Sequence, residues 1–359
     1  MLLRHLWLSG FRNYADASLE LAPTLTAILG DNGQGKTNLL EAVGYLASLS
    51  SFRGAPGDAL VRAGDDRAVI RAEGERDGRE LLIEAELVAN GRNRIQVNRQ
   101  KLARSKDLLG AIRVSVFAPD DLQMVKGGPG TRRTYLDDAL VALHPRNHSL
   151  RTELDRVLRQ RNALLRQSGG RLDEAAEVTL EVWDAKLVEV GEALAAARTD
   201  LVTSLAEPLR ERYQRLAGRD TPIEATYTSA WHDRGLADAL ADARRDELRR
   251  GVTLVGPHRD DLSLFIGGLP ARSHASQGEQ RSMALALRLA AHYVVTEAVG
   301  SAPVLLLDDV FSELDPARAA ALVETLPEGQ SVLTSATGLP TGVKAERTVH
   351  VRDGRLEAP

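Results

Sequence analysis

A chain of 359 residues, 43% hydrophobic and 27% charged, is long enough for two ordinary soluble domains. It has no cysteine, which excludes a disulfide framework and any thiolate metal site. A net charge of -4 argues against a uniformly basic nucleic-acid binder, so any such surface must come from uneven distribution. The opening MLLRHLWLSGFRNY soon turns polar and is no signal peptide. No stretch reaches the length of a membrane span, so a cytoplasmic protein with no membrane partner is expected.

LWLSGFRNYADASLEL reads as strand, turn, strand. Thr24–Gly30 is a buried strand running into a glycine loop, and NLLEAVGYLASLS continues as a helix. From Leu60 to Leu102 the pattern alternates, with hairpin signals at Asp77–Gly78 and Asn90–Gly91, so an antiparallel sheet is expected. Ile112–Pro119 holds another buried strand. Between Pro145 and Pro208 the texture turns helical. Leu150, Leu154, Val157 and Leu164 share one stripe, and Ser168–Gly170 breaks it. Trp183, Leu187, Val190, Leu194, Ala197 and Leu201 then recur at spacings of four and three. That spacing suits an antiparallel helical hairpin. Its second arm, from Leu172 to Glu207, would be on the order of 50 Å long. Strands resume after Gly251; Val304–Asp309 is a continuous apolar run of the kind found inside parallel sheets, and Ser331–Thr334 is another strand.

The chemistry begins at GDNGQGKT, Gly30 to Thr37. It matches the P-loop pattern at every fixed position, after a strand and before a helix. Backbone N–H groups of Gly30, Asp31, Asn32, Gly33, Gln34 and Gly35 would wrap a polyphosphate. Lys36 would reach its β- and γ-phosphates, and Thr37 would hold Mg²⁺. LLLDD supplies the carboxylates such a site needs: Asp308 to orient Mg²⁺, Asp309 beside the attacking water. A second helix start, SQGEQ, pairs Ser276 with Glu279 in a capping-box pattern and leaves N–H groups facing an anion.

These motifs and their wide separation resemble the ATP-binding-cassette ATPases of the SMC class. FRNY, APDDLQMVKGGPGTRR, VGPHRDDLSLFIGG and the short hairpin resemble, within that class, the RecF family of recombination mediators. The resemblance spans Leu6 to Arg355. It implies an α/β ABC-type ATPase head, a P-loop mixed sheet with an antiparallel β lobe, plus a helical-hairpin second domain. The expected organisation is 1–145 for the first part of the head, 146–250 for the arm, and 251–359 for the rest of the head. ATP would close a homodimer, with Ser276, Gln277, Gly278 and Glu279 touching the nucleotide held by Lys36 of a second copy. Ser312 and Asp315 match the D-loop. APDDLQ is similar to the Q-loop, with Gln123 or Asp120 on the metal side. The histidine usual after the last core strand is absent from TSATG, Thr334 to Gly338. Asp309 stands where the class has Glu, one methylene longer, so slow hydrolysis is expected. Arg12 and Asn13 are further nucleotide candidates.

The basic run Arg92, Arg94, Arg99, Lys101, Arg104 and Lys106 has no acid within it and is the candidate DNA surface. Arg156, Arg159, Arg161 and Arg166 on the arm, and Arg132 with Arg133, extend the set. Aromatic residues are only 4% of the chain, which favours backbone contact with duplex over stacking on single strands. The resemblance implies recombinational repair and replication restart at double-stranded DNA and single-strand/double-strand junctions. RecR would be the direct partner, with RecO and the loading of RecA further on. Alternative readings are a non-catalytic ATP-gated scaffold on DNA, or the ATPase subunit of another ABC system.

Overall fold

In the computed structural model, which describes residues 1–357 apart from the side chain of Glu313, the early alternation becomes a sheet. β1 (Leu2–Phe11) and β2 (Tyr14–Glu20) come first, then β3 (Leu25–Leu29) and helix α1 (Lys36–Ser48). β4 (Arg67–Arg76), β5 (Arg79–Val88), β6 (Arg94–Val97) and β7 (Gln100–Lys101) follow, and β8 (Val114–Phe117) ends this stretch. Six of these strands pair in the order β2-β1-β4-β5-β6-β7, all antiparallel. Leu6, Leu8, Ile70, Ala72, Ile83, Ala85 and Ile95 fill its buried face.

The Asp77–Gly78 turn is the expected tight one, with φ of 52° and 73°. Asn90–Gly91 is not. It lies in the longer connection between Val88 and Arg94, where Asn93 accepts the Val88 N–H. Another two-residue turn is Asn98–Arg99, with φ of 49° and 67°, which has no Gly to announce it.

From Leu122 the chain enters a different compact unit, residues 122–210 and 221–280; the first unit comprises residues 1–121, 211–220 and the chain from Arg281 on. The second unit holds α2 (Gln123–Lys126), α3 (Pro129–Leu143), α4 (Asn147–Gln167) and most of α5 (Glu174–Ala217). β9 (Ile223–Thr228), α6 (Leu236–Arg250), β10 (Asp261–Ile266), β11 (Leu269–Pro270) and α7 (Ala271–His274) complete it, and α8 (Gln277–Val299) begins in it. The arm boundaries expected at 146 and 250 fall inside this unit. The reason is polar and buried: Arg132 of α3 is bidentate to Asp261 of β10, and Arg198 of α5 is bidentate to Asp137 of α3. The longer arm also outruns expectation. α5 has 44 residues, about 66 Å at 1.5 Å per residue, and passes through Pro208.

Two arginines read from the sequence as DNA contacts are structural. Arg161 is fully buried, bonded to Asp184, Glu247 and Thr253. It falls on the same helical face as buried Leu154, Val157 and Leu165, so helical geometry turns it inward. Leu165, not Leu164, completes that stripe. Arg132 is likewise committed to Asp261 and to the carbonyls of Met124 and Gly127. Arg156 pairs with Glu153 on its own helix.

The chain ends in β12 (Val304–Asp308), α9 (Pro316–Thr325), β13 (Ser331–Ser335), β14 (Arg347–Arg352) and β15 (Arg355–Glu357). The second sheet of the first unit runs β15-β14-β3-β13-β12-β8, parallel except for the β15 edge. Every residue of β12 and β13 is buried, as a strand covered on both faces requires. Leu39, Leu40, Val43 and Leu46 of α1 join Ile28, Leu306 and Val332 of this sheet and the apolar face of the first sheet in one core. α1 thus begins after the loop that leaves β3, and its Thr37 reaches Asp308 at the end of β12.

Candidate nucleotide and metal site

The turn between β3 and α1 can be made only with glycine at its fixed points. Gly30 has φ 152°, and a Cβ there would stand 2.4 Å from the Val351 carbonyl oxygen. Gly35 has φ 110°, and a Cβ would stand 2.4 Å from the Asn13 amide. Gly33 has φ 81° with open space around it. The turn is braced from outside. Asn13 donates to the Gln34 carbonyl at 2.9 Å, Tyr14 OH to the Gly35 carbonyl at 3.0 Å, and the Asp353 N–H to Gln34 Oε1 at 2.6 Å. FRNY is therefore the scaffold of the glycine loop. Arg12, expected against the nucleotide, instead gives its guanidinium to buried Glu41 at 2.7 and 2.8 Å and to the Ala59 carbonyl. A cation beside a buried carboxylate is held there by the cost of leaving it unpaired.

Lys36 Nζ donates back to the Gly30 and Asp31 carbonyls at 2.6 and 2.8 Å, folded over the loop. Burial pulls its pKa down, and the charges of Asp309, Asp308 and Asp31 oppose that pull. Thr37 Oγ1 donates to Asp308 Oδ1 at 2.7 Å. Burial pushes the Asp308 carboxyl up, against hydrogen bonds from Thr37 and Thr334 and the charge of Arg53. Thr334 Oγ1 donates to Asp308 Oδ1 at 2.8 Å and accepts the Asp309 N–H at 3.0 Å. Asp309 has φ 48°, and its Oδ1 is buried with no hydrogen-bond partner among the described residues. A buried carboxylate oxygen without a donor is a place for a water or a cation.

Mg²⁺ fits this donor set. Thr37 and Asp308 offer hard oxygens, and the raised carboxyl of Asp308 gains from a cation. Among the described residues no group of three or more His, Asp or Glu side chains could hold a metal ion. Sequence reasoning missed Thr334 and Arg53. Neither carries a motif; each matters only through the neighbour that strand pairing or the α1 exit brings to it.

The other expected residues are distributed over both units. Ser276 caps α8: its N–H and Oγ donate to Glu279 Oε2 at 2.8 and 2.7 Å, and the Glu279 N–H returns to Ser276 Oγ at 3.3 Å. Ser276 and Gln277 are exposed, Gly278 and Glu279 half-buried. Gln280 fixes the turn through the Ala271 and Arg272 carbonyls. Ser312 donates to the Asp309 carbonyl at 2.8 Å, and Asp315 caps α9 through the Arg318 N–H at 2.9 Å. In the Q-loop stretch Asp121 is committed, accepting from the Ala118 N–H and from Arg288, whereas Asp120 and Gln123 are exposed.

The six basic residues, all exposed, run from just before β6 to just past β7, the edge strand of the antiparallel sheet. Arg94 approaches Glu86 at 3.6 Å and Arg104 approaches Asp107 at 3.4 Å. Arg92, Arg99, Lys101 and Lys106 have no carboxylate partner among the described residues.

A P-loop opening α1, a carboxylate pair at the end of the parallel strand β12, one strand removed from β3, an antiparallel lobe and a separate capped signature helix define an ABC-type ATPase head of the SMC class. The family model described as RecF/RecN/SMC N terminal domain matches residues 2–352. A DNA replication and repair protein RecF from Streptomyces avermitilis is 45% identical over 376 residues, covering 99% of this chain and 100% of the relative. One from Kineococcus radiotolerans is 43% identical over 387 residues, covering 99% and 98%. The solved structure of the recombination mediator RecF with ATP, from the RecFOR pathway, superposes with a TM-score of 0.91 at 30% identity, covering 100% of this chain and 97% of that one. The chain belongs to the RecF family. A solved Smc head bound to the C-winged helix domain of ScpA, at TM-score 0.57 and 16% identity, shares the fold. No helix among the described residues is long and apolar enough to cross a membrane.

Proposed function

We propose that this chain is an ATP-dependent DNA-binding protein of recombinational repair, and that ATP drives it into a homodimer on duplex or gapped DNA. The observation that carries the chemical part is the buried, unpartnered Oδ1 of Asp309 beside the Thr37–Asp308 pair. The RecF–ATP structures of the family support nucleotide at the glycine loop.

In this reading the N–H groups of Gly30 to Thr37 cradle the phosphates, and Lys36 leaves the loop carbonyls to pair with the β- and γ-oxygens. Thr37 and Asp308 would hold Mg²⁺, with Gln123 as a further candidate ligand; the ion, when bound, would neutralise charge on the nucleotide's phosphates. Asp309 accepts a hydrogen bond from the attacking water and orients it. Its short side chain gives slow turnover, which DNA accelerates. Ser276, Gln277, Gly278 and Glu279 serve the nucleotide of a second copy: the Glu279 carboxylate releases the Ser276 hydroxyl, which turns to the γ-phosphate.

The β7 edge supplies the DNA contact. Four of the six cations around it have no carboxylate partner among the described residues, so phosphates meet charge not already neutralised. Binding is then through the backbone, without sequence readout. In this reading RecR is the direct partner, and the dimer assists RecR and RecO in loading RecA.

The test is the mass of the protein by light scattering with and without ATP and Mg²⁺, repeated with blunt duplex, gapped duplex and single strand, and with steady-state ATPase on the same samples. The reading expects a doubled mass only with ATP, retention on duplex and gapped DNA, and DNA-stimulated hydrolysis. A chain that stays monomeric with saturating ATP and DNA contradicts it. Dimers on DNA with no turnover would leave the scaffold in place of the enzyme.

A further inference from the structure

β13 runs into TSATG, Thr334 to Gly338, and pairs with β12 up to Asp308. The geometry points to Thr334 as the residue that positions the hydrolytic carboxylate, acting from β13 through Asp309. The inference rests on the assignment of Asp309 as the water-holding residue.

Strand register makes the contact. β12 and β13 are parallel, and Asp308 is opposite Thr334. That pairing brings a side chain at the end of β13 against the peptide joining Asp308 to Asp309. A hydroxyl has one proton to give and lone pairs to receive, and Thr334 uses both. It donates to Asp308 Oδ1 at 2.8 Å and accepts the Asp309 N–H at 3.0 Å. The Thr334 carbonyl also accepts that N–H, at 3.2 Å. Thr334 is fully buried, so no water competes for these bonds.

The consequence lies in the backbone of Asp309. Its φ of 48° is a left-handed conformation that costs a residue with a Cβ. The chain turns sharply there, and the N–H that Thr334 grips is the one on the turning residue. The grip fixes where the Asp309 carboxylate points. The oxygen it leaves buried and unpaired, Oδ1, is the one available to a water. Release of the grip would let Asp309 relax toward ordinary backbone angles and swing that oxygen away. The same hydroxyl occupies Asp308 Oδ1 together with Thr37, so both carboxylates of the site are aligned by one side chain from the neighbouring strand.

A buried hydroxyl that merely satisfied itself would matter to stability alone. A positioning hydroxyl matters to turnover, and serine can replace it. The experiment therefore compares Thr334→Val, which keeps the shape and removes the hydroxyl, with Thr334→Ser, which keeps the hydroxyl. Four readouts are taken on the full chain: kcat, affinity for a fluorescent ATP analogue with Mg²⁺, affinity without Mg²⁺, and the melting temperature. We expect Thr334→Val to lower kcat by about tenfold or more, the effect of losing one orienting hydrogen bond worth about 1.4 kcal/mol. Nucleotide affinity in both conditions should stay within about threefold, because Thr37 still holds Asp308 Oδ1 and the phosphate cradle is untouched. Thr334→Ser should keep kcat within about threefold of native, since it restores both bonds. Native turnover in Thr334→Val overturns the inference, as does Thr334→Ser being as slow as Val. So does a loss of nucleotide affinity that parallels the loss of rate. If the Val chain melts below the assay temperature, Thr334→Ala repeats the contrast; early melting of both assigns Thr334 to stability and equally overturns it. Absence of turnover in the native chain is a different result, and fails the functional reading above instead.

Discussion

Thr37 and Asp308, 271 positions apart in the chain, meet at 2.7 Å through a hydroxyl and a carboxylate oxygen. One opens α1 and the other closes β12. Their contact joins the first half of the head to the last, and it is where the metal would sit. Asp308→Asn should therefore impair ATP binding and hydrolysis together, because Mg²⁺ placement is lost. Isothermal titration with ATP in Mg²⁺ and in EDTA checks this: the native protein should lose affinity in EDTA, and the variant should show no such difference.

Asp309 lies one residue on, and the proposed function gives it a different task. Asp309→Asn should bind ATP and dimerise but stop turnover, leaving a long-lived closed form. Single-turnover hydrolysis beside size-exclusion measures both properties. Turnover at the native rate would remove Asp309 from the water-holding role.

The buried arginine of the arm predicts a stability effect with no DNA effect. Arg161→Ala leaves fully buried Glu247 without its charge partner, which should cost about 3–5 kcal/mol. Arg159→Ala, on the exposed side of the same helix, should stay within about 0.5 kcal/mol. Urea unfolding of both variants separates the two cases.

Two buried histidines set an acid limit. Burial pulls His258 and His292 down to about 4 from an ordinary 6.5. Between those values the unfolded chain binds protons that the folded chain does not. Stability should therefore fall as pH drops from 6.5 towards 4, by at most about 1.4 kcal/mol per pH unit for each histidine. His292 also bonds Ser115 at 2.9 Å, so His292→Gln keeps a polar partner in place. Melting temperatures from pH 7.5 to 4.5 should slope less steeply for His292→Gln than for the native chain.

The DNA surface is tested by salt. Arg92, Arg99 and Lys101 have no carboxylate partner among the described residues, so their joint change to Ala should weaken duplex binding. It should also flatten the salt dependence, by about one unit of slope for each phosphate that a cation no longer neutralises. ATP affinity should be unchanged. An unaltered slope would move the DNA site away from the β7 edge.

The P-loop, the Asp308–Asp309 pair and the Ser276 cap were legible because each depends on residues adjacent in sequence. The glycines need positive φ or close approach, and a capping box closes over three residues. What was illegible depends on pairing at a distance. Arg161 looks like any solvated arginine until the face it shares with Leu154, Val157 and Leu165 turns inward. Thr334 has no signal of its own, and its role exists only because β13 lies parallel to β12. Arg12 sits in the FRNY stretch that the family resemblance draws on, yet the buried Glu41 claims it. The boundaries at 145 and 250 followed a change of texture, whereas the unit follows ion pairs that cross them.

The central claim is that the signature turn serves a second copy's nucleotide. The direct measurement is the mass of Ser276→Arg by light scattering with saturating ATP and Mg²⁺, beside its affinity for ATP as a monomer. A bulky cation in place of a small hydroxyl should leave monomer binding nearly native and abolish the ATP-driven doubling of mass. Mixed with Lys36→Ala, it should recover part of the dimer, because one of the two shared sites is then whole. Ser276→Arg chains that double their mass with ATP as the native chain does would contradict the account.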